Sequence, residues 1–298
     1  MLVVWTPAIS CLHRHLGTVG TMRVTIFGAS GLLGKALMNA WTQDQASGLN
    51  SHDADIRDPK QVLDAVERTR PDWIVHAAAY TNVDECEANR EQAFDVNCRG
   101  AVHVAQAAKQ QGARLLFVST DYVFDGTNKT PYETDSARAP RSVYGQSKAE
   151  AEVRLGEVLP DCCIVRTSWL FGVGGKCFPD TILKLAATRS EIDVVSDQRG
   201  SPTHTVDLAR AIVQLCHAGA AGIVHATNRG ECSWFDFARE IVRAADLKTI
   251  VHPTTSAKFV RPAERPQYSV LSPRSLENFG VAMPVWQDAL RSYLGERR

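Results

Sequence analysis

The sequence predicts an α/β fold: a doubly wound parallel sheet followed by a smaller α+β portion. Three observations carry this expectation. Short β-branched and aromatic runs alternate with helical stretches between residues 23 and 166, a glycine-spaced turn follows the first run, and the alternation loosens after Thr167. Strands that alternate with helices imply right-handed crossovers and a parallel sheet. The 298 residues allow one large domain or two smaller ones, and no glycine-serine linker separates the halves.

The elements follow in order. Residues 24–27 read as a strand ending at Gly28, and 31–41 as a helix. A weak second strand lies near Leu49. Asp58 and Pro59 open the next helix, where a proline suits the first turn. Residues 72–76 form a strand, and 91–111 carry helical apolar spacing up to Gly112. Residues 114–119 read as a buried strand, 144–159 as a helix and 162–166 as a further strand. Adjacent Cys162 and Cys163 would point to opposite faces of that strand. Beyond it, helices are expected at 178–189, 205–217 and 233–245, with short strands at 193–195 and 223–226. Pro253, Pro262, Pro266 and Pro273 mark a loop-rich segment before a last helix near 285–294. The expected organisation is an N-terminal extension over 1–21, a dinucleotide-binding unit over 22–166, and a mainly substrate-binding portion over 167–298. Met22 stands directly before the first strand, and the segment ahead of it lacks the basic start and long apolar core of a signal peptide.

Composition narrows the function. Apolar residues at 44% and charged residues at 22% exclude a disordered chain. Lys+Arg and Asp+Glu both number 33, so there is no basic footprint for nucleic acid. No stretch approaches the ~20 apolar residues of a membrane span. The eight cysteines (11, 86, 98, 162, 163, 177, 216 and 232) form no CxxC pair and no Cys/His cluster of zinc spacing. Reduced thiols, a cytoplasmic protein and no metal site are the expectation.

Three motifs carry chemistry. Gly28, Gly31 and Gly34, spaced GxxGxxG, lie between a strand and a helix. Glycines there permit a tight turn and close approach to a pyrophosphate, and the helix N-terminus attracts that anion. This makes the sheet a Rossmann-type one. Tyr144 and Lys148 are four apart on a helix and so share a face. An ammonium near a phenol favours the phenolate and lowers its pKa, making it a usable acid or base. Thr120 ends a parallel strand, where ligands of open α/β sheets bind, and its hydroxyl could hydrogen-bond a carbonyl oxygen next to Tyr144.

In this order, glycine loop, strand-end threonine and YxxxK, the chain resembles the extended short-chain dehydrogenase/reductases. STDYVFDG at 119–126, PYETD at 131–135, VYGQSK at 143–148, RTSWLFG at 166–172, DQRGSPT at 197–203 and the pair Arg265-Pro266 are similar to the motifs of dTDP-4-dehydrorhamnose reductases, over about 22–294. The resemblance implies reduction of the 4-keto group of a dTDP-6-deoxyhexulose, with Tyr144 as proton donor, Lys148 on the nicotinamide ribose and Thr120 on the substrate oxygen. It implies that Gly28, Ser30, Gly31, Leu32, Leu33 and Gly34 hold the pyrophosphate, that Asp55 and Ile56 flank the adenine, and that Ala77, Ala78 and Ala79 run beneath the cofactor. Trp169 would lie beside the deoxysugar and Arg265 would meet the dTDP diphosphate, with Val83, Asp121 and Tyr122 also on the substrate side. Asn97 matches a helix asparagine found near such sites. A homodimer is compatible with it.

Two features depart from the family pattern. Ser142 stands where an asparagine is common. The second strand ends without the acidic residue that favours NAD and without an Arg/Lys pair for a 2′-phosphate; Arg57 is the only nearby cation. NADPH is the expected cofactor, with NADH left open. A dehydratase would need Asp-Glu after Thr120, and Asp121-Tyr122 follows instead; an epimerase stays open. A non-catalytic reading also stands, because the chain resembles the cofactor-binding β subunit of methionine adenosyltransferase.

Overall fold

The capping and turn residues delimit the elements much as the sequence suggests. The structure, a computed structural model, describes residues 21–297, so the expected extension lies outside the described residues except for Thr21. β1 (Arg23–Phe27) leads through the glycine turn into α1 (Leu32–Ala40), then β2 (Gln45–Leu49). α2 (Pro59–Thr69) starts at Asp58, whose carboxylate accepts from the N–H groups of Lys60 and Gln61, with Pro59 in the first turn. β3 (Trp73–His76) is followed by α3 (Val83–Ala88), α4 (Arg90–Phe94) and α5 (Gly100–Gln111). α5 stops at Gly112, whose φ of 66° is the left-handed cap that a glycine adopts freely. Then come β4 (Arg114–Thr120), α6 (Val143–Val158) and β5 (Cys163–Thr167).

The remaining elements are β6 (Leu170–Phe171), α7 (Phe178–Ala186), β7 (Glu191–Val195), β8 (Arg199–Gly200), β9 (Thr203–His204) and α8 (Thr205–His217). β10 (Gly222–His225), β11 (Cys232–Ser233), α9 (Trp234–Ala244), β12 (Ile250–Thr254), α10 (Arg274–Glu277) and α11 (Trp286–Glu296) complete the chain. α9 begins with a reciprocal capping box between Ser233 and Asp236.

The main sheet has six parallel strands in the order β10-β5-β4-β3-β1-β2. One face buries Leu33 and Leu37 of α1 with Leu208, Ile212 and Leu215 of α8; the other buries Val62, Val104 and Leu155 of α2, α5 and α6. Cys163 belongs to the first core and Cys162 to the second, on opposite sides of the sheet. A third core, with Phe171, Ile192, Phe237 and Leu290, holds α7, α9 and α11 together outside the sheet.

The expected division at residue 166 is not a spatial one. α8 packs on α1, and β10 pairs with β5 in register Gly222↔Cys163 to His225↔Arg166, so the sixth strand comes from the second half. The reason is that β5 is buried along its whole length and needs a neighbour on its outer side. The expected single helix over 91–111 is interrupted by a π-helical turn at Asp95–Arg99. The prolines hid one strand: β12 carries Pro253 yet pairs with β7, which a two-stranded ribbon tolerates because a proline's missing N–H can face outward. α3 has too few residues to show a helical period and was not expected.

The seven cysteines among the described residues are buried and unpaired. No helix among them is long and apolar enough to cross a membrane, and no group of three or more His, Cys, Asp or Glu has metal-holding geometry.

Candidate active site

β1 sends the chain to β2 on one side and, through α2, to β3 on the other, so the strand order reverses between β1 and β3. A crevice opens there at the carboxyl ends of the strands. It is a cavity of about 770 Å³, lined by the glycine turn, the ends of β2 to β5 and residues of the second half.

The glycine turn is shaped by its neighbours. Gly28 has φ 87°, and a Cβ there would stand 2.6 Å from the Ala78 nitrogen. A Cβ on Gly34 would collide with the Gly28 carbonyl. These two glycines let β1, the turn and the segment 77–79 close on one another. Gly31 caps α1 without a side-chain hydrogen bond, so the first N–H groups of α1 remain available to an anion. This cradle fits the diphosphate of a dinucleotide.

At the far end β2 stops at Leu49, followed by Asn50 and Ser51 on the cavity wall. No acidic side chain takes the position that would repel a 2′-phosphate: Asp53 instead accepts from the Asn50 N–H at 2.9 Å. Arg57 lines the cavity and pairs with Asp55 at 2.6 Å, which holds the Asp55 carboxyl below its usual range.

The wall that carries Thr120, Tyr144 and Lys148 is built by β4 and α6. Ser142 caps α6 by accepting from the Gly145 N–H, so the residue that departs from the family pattern has a structural task. Tyr144 and Lys148 then follow one turn apart. Lys148 is buried; its Nζ donates to the Val118 carbonyl at 2.6 Å and lies 3.8 Å from the centre of the Phe117 ring. Burial pushes its pKa down to about 7. Tyr144 is raised above the ordinary phenol value by burial, against the influence of the Thr120 hydroxyl. The expected lowering of this phenol by Lys148 is therefore not seen: the ammonium is turned to Val118 and Phe117, and desolvation dominates. Thr120 donates to Asp121 at 3.0 Å. Asp121 is buried and pushed up to about 6, opposed by hydrogen bonds from Ser269 and Thr120. The Tyr122 and Tyr144 rings meet edge to face at 5.7 Å.

Of the residues expected from the sequence, Gly28, Ser30, Gly31, Leu32, Leu33, Gly34, Asp55, Ile56, Ala77, Ala78, Ala79, Val83, Thr120, Asp121, Tyr122, Tyr144, Lys148 and Trp169 all line this one cavity. Trp169 stands at φ 48° and stacks on Trp234 with ring centres 3.5 Å apart. Arg265 is the exception. It is outside the lining, and Asp84 holds its guanidinium through bonds of 3.0 and 2.8 Å. That pairing lowers the Asp84 pKa to about 2. Asn97 also serves the framework: within the π turn it bonds both backbone groups of Tyr80 and the Ser147 hydroxyl, fastening the loop after β3 to α6.

Sequence reasoning missed Thr167 and Ser168, Lys176 and Trp234, which line the cavity as well. Thr167 ends β5 as Thr120 ends β4, and that parallel was a usable signal. Nothing local marks Trp234, which enters from α9 by tertiary packing alone.

Residues 22–298 match the family model of the RmlD substrate binding domain. The chain is 41% identical over 278 residues to a dTDP-4-dehydrorhamnose reductase of Streptomyces griseus, covering 90% of this chain and 91% of that one. It is 39% identical over 277 residues to the spore coat polysaccharide biosynthesis protein SpsK of Bacillus subtilis, covering 92% and 98%. Among solved structures, a Bacillus anthracis dTDP-4-dehydrorhamnose reductase in complex with NADP superposes with a TM-score of 0.90 at 39% identity, over 93% of this chain and 99% of that one. With these matches running through both halves of the molecule, the chain belongs to the dTDP-4-dehydrorhamnose reductase family.

Proposed function

We propose that this chain reduces the 4-keto group of dTDP-4-dehydro-L-rhamnose to give dTDP-L-rhamnose, with NADPH as reductant and Tyr144 as proton donor. One observation carries the reading. Thr120, Tyr144 and Lys148 share a single cavity with a glycine turn open to a diphosphate.

When bound, the reduced nicotinamide supplies the hydrogen and electron pair that reach carbon 4 of the sugar. The protein's groups manage the oxygen. Burial keeps the Tyr144 phenol protonated, so it has a proton to give as charge develops on the keto oxygen. The Thr120 hydroxyl gives its single proton to Asp121 in this structure, and turning that proton to the keto oxygen would make it a second donor there. Lys148, poised near neutrality, can restore a proton to the site and bond the nicotinamide ribose. Trp169 and Trp234 give the deoxysugar an apolar wall. The absence of an acid at the end of β2 favours NADPH over NADH, and Arg57 would add to this by exchanging Asp55 for the 2′-phosphate. The reading includes a cytoplasmic location and a homodimer, the latter open to sedimentation analysis.

The test is to incubate the purified protein with dTDP-4-dehydro-L-rhamnose and NADPH. Stoichiometric loss of nicotinamide absorbance with formation of dTDP-L-rhamnose is expected. Conversion of the sugar without consumption of NADPH would replace this reading with an epimerase.

A further inference from the structure

A dinucleotide's diphosphate carries charge that backbone N–H groups offset only in part, so a cation near the glycine turn is chemically favoured. Three basic residues line the cavity: Arg57, Lys148 and Lys176. Arg57 is neutralised by Asp55, and Lys148 is buried against the Val118 carbonyl. Arg265 is off the wall and held by Asp84. Lys176 remains, exposed and without an ion pair to any described residue.

Its position is set by the loop 172–176, between β6 and α7, which crosses from the second half to the start of α1. The Gly174 carbonyl accepts from Lys35 Nζ of α1 at 2.6 Å. Gly174 has φ 99°, and a Cβ on Gly175 would stand 3.2 Å from Leu32 Cδ1. The two glycines thus let the loop lie against the first turn of α1, where the uncapped N–H groups are. Lys176 follows at once, before Cys177 caps α7.

We propose that Lys176 is the diphosphate-binding cation of the dinucleotide site, carried there on a loop that Lys35 fastens to α1. The second half of the chain thereby contributes to cofactor binding as well as to the substrate side. This rests on the reading that the cavity takes a nicotinamide dinucleotide. The nucleotide sugar also carries a diphosphate; the packing of Gly174 and Gly175 against Lys35 and Leu32 of α1 puts the lysine's loop beside the glycine turn and favours the dinucleotide.

The experiment compares wild type, Lys176→Met and Lys35→Met, after thermal melts verify folding. NADPH is titrated by fluorescence and dTDP by calorimetry, each at low and high salt. Lys176→Met is expected to raise the NADPH Kd about tenfold, the loss of one charge-assisted hydrogen bond, and to flatten its salt dependence. Lys35→Met should weaken NADPH less, and the double variant should bind no worse than Lys176→Met. dTDP affinity should stay unchanged in all. An NADPH Kd within about twofold of wild type in Lys176→Met would overturn the proposal, on the scale of the bond removed. Weakened dTDP binding with unchanged NADPH binding would overturn it too, by moving the lysine to the sugar nucleotide. A wild-type protein that binds no dinucleotide would instead remove the cofactor reading, and this assignment with it.

Discussion

Tyr144 and Lys148 stand one turn apart on α6, and burial moves their pKa values apart from similar ordinary values: the phenol's upward, the ammonium's downward. Both shifts favour the neutral forms. Replacing Tyr144 by Phe keeps the ring packed on Tyr122 and removes only the hydroxyl. We expect turnover to fall about 10²- to 10⁴-fold, the usual worth of a positioned general acid, with the NADPH Kd unchanged in a fluorescence titration. Lys148 makes a separate prediction about stability. Its folded pKa is about 7 against an ordinary value of 10.5. Between those pH values the unfolded chain binds the additional proton, so stability rises with pH through that window. Below it both states are protonated, and the cost of burying the charge is fully present. Urea melts of Lys148→Met across the window should lack this rise; an identical rise would show that another group causes it.

The elements beneath the site are joined by an ion pair with almost no exposure. Glu152 on α6 is fully buried at its carboxylate, and it receives Arg166 of β5 at 2.9 and 2.6 Å, Ser119 of β4 at 2.6 Å and Arg138 at 3.2 Å. Arg166 in turn reaches the Thr134 carbonyl at 3.2 Å. With so many bonds to one carboxylate, the helix carrying Tyr144 and Lys148 is fixed to the two strands that end in Thr120 and Thr167. Glu152→Ala leaves the Arg166 guanidinium buried without its partner. A loss of about 3–5 kcal/mol in urea unfolding is expected, of the size seen when a buried pair is broken on one side. The sequence showed α6 and both strands, but it did not show this pairing, because nothing in the spacing of Glu152 and Arg166 says that they meet.

At the scale of the molecule, two halves in sequence are not two halves in space. α8 and β10 complete the main sheet and cover α1 and β5. A fragment of residues 22–166 would therefore expose the outer edge of β5 and the apolar faces of β1, β4 and α1 that α8 covers. We expect it not to fold cooperatively, as read by the loss of a sigmoidal circular dichroism melt, whereas a fragment ending after β10 should regain helix content. Independent folding of 22–166 would restore the boundary drawn from the sequence. The same closure brings residues 181 positions apart into the Asp84–Arg265 pair, and the next residue, Pro266, packs against Gly126.

The sequence by itself determined the elements of the sheet, the glycine turn and the shared face of Tyr144 and Lys148, because each is written within a few residues: a period, a cap, a backbone without a Cβ. It also carried the family resemblance, since those local patterns recur in a fixed order. Only the tertiary structure decided that Arg265 is given to Asp84, that Lys148 faces Val118 instead of the phenol, that β10 borders β5, and that Lys176 and Trp234 reach the cavity. Those outcomes depend on which distant surfaces meet when the chain closes, and on how far each charged group is taken out of water, neither of which is encoded at any single stretch of residues.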